Sequence, residues 1–168
     1  YAIAYPEHVE SLILRGIFLG TADEVSWFLN EMGRFFPEAY ERFISYIPKD
    51  ERNDILTAYY RRLTSSNPAI YQPAADHWAS YETSCSTLRA GSRHMSGMAA
   101  LSMARIEVHY FRHHCFMPDD HILSNIDRLK HMPVHIIQGR HDVICPPFTA
   151  QKLALAWGKN AQLQMIDE

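Results

Sequence analysis

Short apolar runs bracket a long middle in which apolar residues return every three to four positions. The runs are SLILRG at 11–16, PVHIIQ at 133–138 and AQLQMI at 161–166. Each is short, aliphatic and bounded by polar or turn-forming residues, and each predicts a strand. Val134, Ile136 and Ile137 predict a strand covered on both faces. After it, Gly139 allows a sharp exit, and Pro146 and Pro147 suit the first turn of a helix that FTAQKLALAW continues. Gly158, Lys159 and Asn160 turn the chain into the last strand. Strand, helix and strand in that order make a βαβ unit. At the start of the chain, YAIAY predicts the end of a helix that Pro6 stops.

From about residue 20 to residue 118 the strand patterns vanish. Val25, Phe28, Leu29, Met32, Phe35, Phe36, Tyr40 and Phe43 fall at helical spacing, and Pro37 divides them into two helices. Asp23 is the expected start cap. Glu51 to Leu63 predicts a further helix, broken by Asn67-Pro68; Ala69 to Thr83 and Met95 to Phe111 predict two more. GSRHMS at 91–96 predicts a polar loop. No solenoid period recurs. The chain is therefore α/β in class, with core segments at 1–20 and 119–168 and an inserted helical block at 21–118.

Composition narrows the function classes. The chain has 168 residues, 47% hydrophobic and 21% charged, an ordinary globular balance. A net charge of -3 gives no electrostatic footprint for nucleic acid or an acidic membrane. No apolar run approaches the roughly 18 residues of a membrane helix. Three cysteines, Cys85, Cys115 and Cys145, are too few and too widely spaced for a disulfide framework, and they fit a reducing cytoplasm. The chain opens on Tyr1 and closes on a strand, which reads as a portion of a longer protein.

The candidate chemistry is acidic. Asp142 stands just past the carboxyl end of the second strand, where parallel α/β sheets place reactive groups; its structural alternative is a loop cap. Glu82 and Glu107 lie in the helical block. Ile106, Val108, Met103, Tyr110 and Phe111 crowd Glu107, so partial burial is expected, and a buried carboxylate needs a cation or several donors. His109, His113, His114 and Cys115 cluster, with His109 and His113 four residues apart on a helix. Their spacing matches no recognised zinc pattern, so no metal is assigned. No G-x-S-x-G occurs, and Ser65, Ser66 and Ser84 read as caps and loops.

Four motifs in combination resemble the proline iminopeptidases (prolyl aminopeptidases), a branch of the α/β-hydrolase fold. They are G-R-H-D-x-x-C-P-P at 139–147, L-I-L-R-G-I-F at 12–18, W-x-x-Y-E at 78–82 and A-R-I-E-x-H-Y-F at 104–111. The resemblance implies a partial α/β-hydrolase core with an inserted helical cap. Its triad runs in chain order Ser, acid, His, which makes Asp142 the acid. The implied nucleophile elbow falls just before Tyr1 and the implied histidine just after Glu168, so the chain alone is expected to be inactive.

Glu82 and Glu107 are then the implied acceptors of a substrate's free amino group. An N-terminal proline presents one positive charge and two N–H donors, which two convergent carboxylates match. Arg15 resembles a family arginine that tempers the repulsion between the two acids. Phe18, Phe28 and Cys145 are the implied walls of an apolar pocket for the pyrrolidine ring, with plain core packing as the rival reading of each. The implied substrate is a small peptide with N-terminal proline; no cofactor, nucleic acid or membrane is implied. The alternatives are another capped α/β hydrolase, such as an esterase or epoxide hydrolase, and a non-catalytic helical interaction module.

Overall fold

A computed structural model describes residues 1–86 and 95–167. In chain order the elements are β1 (Leu12–Arg15), α1 (Ala22–Ser26), α2 (Pro37–Ser45), α3 (Ile55–Leu63), α4 (Pro68–Cys85), α5 (Gly97–Arg112), α6 (His121–Ser124), β2 (Val134–Gly139), α7 (Pro147–Trp157) and β3 (Ala161–Ile166). The class is mixed α/β with a small three-stranded sheet. The chain divides into two compact units, one of residues 1–24 with 117–168, the other of residues 25–116.

The sheet belongs to the first unit. Its order is β1-β2-β3, and both pairings are parallel. Leu12 stands opposite Val134, and Val134 opposite Ala161. Leu12, Leu14, Val134, Ile136 and Leu163 share the core with Ala150, Leu153 and Trp157 of α7. The opposite face is open: Ile13 is 75% exposed and His135 is also exposed. Within these residues one face of β2 is covered, where the sequence predicts a strand covered on both faces. Burial along β2 alternates, because α7 packs on one side only and none of the other described helices of this unit covers the second.

The chain's first residues also differ from expectation. They close one turn, with the Tyr5 N–H donating to the Tyr1 carbonyl at 3.0 Å, and Pro6 opens a short 3-10 turn instead of ending a helix. The cap of α1 is Thr21, not Asp23. The Thr21 hydroxyl accepts from the Glu24 N–H at 3.3 Å, while Glu24 Oε2 accepts from the Thr21 N–H at 3.0 Å. This reciprocal pair leaves Asp23 merely in the first turn.

The second unit is helical. Its chain passes through a π-helical turn, Trp27–Glu31, and a 3-10 turn, Met32–Arg34, before Pro37 starts α2. The wide turn carries Phe28 and Leu29 inward. Gly33 follows because a Cβ there would lie 2.5 Å from the Tyr40 ring. The helix expected from Glu51 begins at Ile55, since the Asp54 side chain accepts the Thr57 N–H and fixes the cap. Glu51 is drawn instead to Arg62, at 2.8 and 3.0 Å. Asn67 caps α4 with Pro68 in its first turn. Of the polar loop expected at 91–96, residues 91–94 lie outside the described residues.

Aromatic rings fill the interior of this unit. Phe43 stacks between Tyr59, at 4.7 Å, and Tyr81, at 4.4 Å, and the Trp78 ring meets Phe43 edge-on at 5.6 Å. Both buried hydroxyls find backbone acceptors: Tyr59 donates to the Phe43 carbonyl and Tyr81 to the Phe28 carbonyl. Arg105 on α5 donates to the Leu63 carbonyl at 2.8 Å, satisfying the end of α3.

Candidate functional site

The acid loop grows from the end of β2. Gly139 closes the strand, and the Asp142 N–H turns back to the Gly139 carbonyl at 3.4 Å. The half-buried Asp142 carboxylate is gripped on both oxygens. Oδ1 accepts the Cys145 N–H at 2.8 Å, and Oδ2 accepts Gln138 Nε2 at 3.3 Å. Donors on both oxygens fix the plane of the group. A carboxylate held this way can orient a protonatable partner and stabilise positive charge on it. Cys145 contributes through its backbone and is not in a disulfide.

Arg15 ends β1 and is exposed. Gly16 follows in the left-handed region, with φ of 59°, and lets the chain turn sharply into Ile17 and Phe18. Phe18 is 37% exposed. With Leu14, Ile17, Leu153 and Trp157 it lines an apolar groove of about 420 Å³ within this unit.

The helical unit holds the two glutamates. α4 carries Glu82 and α5 carries Glu107, and these helices pack on each other. Their carboxyl groups share a hydrogen bond. Trp78, one turn before Glu82 and fully buried, donates its indole N–H to Glu107 Oε2 at 2.7 Å. Glu82 Oε2 is buried and, among the described residues, meets no donor. Within this unit neither carboxyl has a cationic partner among those residues.

These surroundings set the protonation of the pair. Burial is the main force raising the Glu82 carboxyl, followed by the charge of Glu107 and the hydrogen bond between the two; together they push it up to about 8. Burial also raises Glu107, while the donors from Trp78 and Glu82 pull it back. The hydrogen bond between them acts in opposite senses on the two groups, so a proton is held on Glu82 in preference to Glu107. Two buried carboxyls side by side, with no cationic partner in their unit among the described residues, can accept N–H donors from a cation.

The structure brings Glu82 and Glu107 together in one unit, and Arg15, Phe18, Asp142 and Cys145 lie in the other. Phe28 is 3% exposed, with its ring 5.5 Å from Trp78 and from Tyr81 and 5.6 Å from Phe111, so it is part of the aromatic core behind the glutamates. The His109 and His113 rings lie 4.6 Å apart, and Phe116 stacks on His113 at 5.4 Å. Among the described residues no three metal-capable side chains converge.

Two residues of these sites were not anticipated. Gln138 had one signal, a polar side chain in register with the apolar Val134 and Ile136; Trp78 had another, its four-residue spacing from Glu82. No described helix is long and apolar enough to cross a membrane.

No protein-family model matches the chain. Curated relatives do, along nearly its whole length. A probable proline iminopeptidase of Leptolyngbya boryana is 42% identical over 159 residues, 91% of this chain and 50% of that protein. The proline iminopeptidase of Xylella fastidiosa (strain Temecula1 / ATCC 700964) is 40% identical over 165 residues, covering 95% of this chain and 53% of its own length. That of Arabidopsis thaliana is 36% identical over 173 residues, 99% of this chain and 45% of the relative. The chain thus spans about half the length of the curated relatives it matches.

Proposed function

We propose, from the premise that this chain is a portion of a proline iminopeptidase, that the whole protein containing it releases N-terminal proline from peptides by serine-type acyl transfer. The observation that carries this reading is the glutamate pair: two hydrogen-bonded carboxyls with one buried oxygen lacking a donor. A secondary ammonium supplies what that oxygen lacks and one charge to balance Glu107. Requiring a free amino end makes such an enzyme an aminopeptidase.

In this reading the sheet unit is part of an α/β-hydrolase core and the helical unit is its cap. A serine outside these residues attacks the prolyl carbonyl, and a histidine moves the proton from serine to leaving amine. Asp142 orients that histidine and stabilises its charged form. Arg15, Phe18 and Cys145 stand as candidate substrate-side residues of the sheet unit, as the resemblance implies. Phe28 acts from behind, as packing that fixes Trp78. The substrate is a short peptide, no cofactor takes part, and the setting is the cytoplasm.

The test compares proline p-nitroanilide with its N-acetylated form in the full-length protein. Turnover of the first and none of the second is expected. Equal turnover of both, or undiminished activity after Glu107→Gln, would replace this reading with that of an esterase-like capped hydrolase. The 168-residue chain by itself is expected to hydrolyse neither.

A further inference from the structure

Gln138 has no exposed surface, and its neighbours on the buried side of β2, Val134 and Ile136, are aliphatic. Taking an amide out of water is costly unless its donors and acceptor are satisfied. Here they are. Oε1 accepts the Ile17 N–H at 3.0 Å, and Nε2 donates to the Cys145 carbonyl at 2.8 Å and to Asp142 Oδ2 at 3.3 Å. The partners dictate which way the amide points, since a backbone N–H only donates and a backbone carbonyl only accepts. The acceptor end therefore faces the turn after β1, and the donor end faces the acid loop. Ile17 and Gln138 are themselves 121 residues apart in the chain.

We propose that Gln138 is a positioning residue for Asp142: one buried amide sets the orientation of the acid and ties its loop to the Gly16–Phe18 turn. This rests on the reading of Asp142 as the triad acid. Among the described residues the Asp142 carboxylate accepts from Gln138 Nε2 and from the Cys145 N–H of its own loop. Without the Gln138 donor the carboxylate is free to rotate about its last bond, and the Cys145 carbonyl loses its tether as well. Misplacement of a catalytic group by about 1 Å costs on the order of 10²-fold in rate.

Two substitutions separate the halves of the amide. Gln138→Glu keeps an acceptor for Ile17 and replaces the amide donors with a second carboxyl beside Asp142; Gln138→Met keeps the volume and loses both. In the full-length protein, kcat on proline p-nitroanilide is expected to fall about 10- to 100-fold in each. KM should hold in Gln138→Glu and rise in Gln138→Met, where the turn carrying Phe18 is also released. A folded Gln138→Met variant with kcat within about twofold of the parent would overturn the proposal. Asp142→Asn is the control: if it keeps full activity, the reading of the acid fails instead. A measurement on the unsubstituted chain needs no variant. The Gln138 side-chain amide protons should exchange with solvent far more slowly than those of exposed Gln162, and equal rates would overturn the proposal.

Discussion

Asp142 and Glu107 each hold a short hydrogen bond, from the Cys145 N–H at 2.8 Å and from the Trp78 indole at 2.7 Å, yet their surroundings differ in kind. Asp142 sits at a loop where both oxygens meet neutral donors and solvent is close. Glu107 sits between helices, among aromatic rings, beside a second carboxyl. The first arrangement supplies donors in excess and keeps a negative charge in one orientation. The second withholds them, and the two acids hold protons more tightly than free carboxyls do. In the proposed reading, donor count separates a group that orients a partner from a group that awaits one.

Removing the charge at the loop should have the largest effect. Asp142→Asn is expected to lower kcat in the full-length protein by about 10⁴-fold, as loss of a triad acid does, with KM little changed. A loss of only a fewfold would remove the distinction between the two sites. Glu107→Gln is expected to act on KM instead, raising it by roughly 10²-fold through loss of a charged hydrogen bond to the substrate's amine. A pure kcat defect would mean that the pair serves the chemistry rather than binding.

The pair should also be visible in stability. Both carboxyls are raised above their unfolded values, so folding retains a proton that the unfolded chain gives up. Stability is then fully present below the unfolded carboxyl range, about pH 4, and lost as pH rises towards the folded value for Glu82 of about 8. Screening by solvent reduces the loss to roughly 2 kcal/mol. Glu82→Gln should flatten that slope, because an amide still donates to Glu107 and cannot ionise. Thermal unfolding of both chains at pH 5 and pH 8 measures it, and equal slopes would refute the shared proton. The smallest effect belongs to Cys145→Ser. Asp142 is held by the backbone N–H, so the cradle survives, and a change within about 0.5 kcal/mol is expected from chemical denaturation. A large loss would show the thiol to be essential to the loop.

Much of the fold was readable because it is local. The run from Val134 to Ile166 declares itself through Gly139, the two prolines and the Gly158 turn, each acting on its own neighbours. Thr21 was equally local but was passed over for Asp23, although Glu24 three residues on marks the capping box. The wide turn at Trp27–Glu31 has no such mark, since it answers to the rings it buries. Glu82 and Glu107 were nameable from their motifs, but not the proton between them, which depends on how α4 and α5 face each other. Gln138 lay furthest from view. Its partner at Ile17 is remote in the chain, and only the folded sheet brings the two within 3.0 Å.

The bond from Trp78 to Glu107 has an optical consequence. An excited indole is a stronger N–H donor than one in its ground state, and its emission energy follows the local field. A carboxylate 2.7 Å from Nε1 therefore tunes the colour and yield of Trp78 according to the charge it carries. Trp157 offers a steady reference, its indole N–H held by the Met132 carbonyl at 3.0 Å, an acceptor that never ionises. The chain has a fluorophore wired to its acids, and under the proposed function the filling of the pair by an amine would be followed by light alone, without turnover.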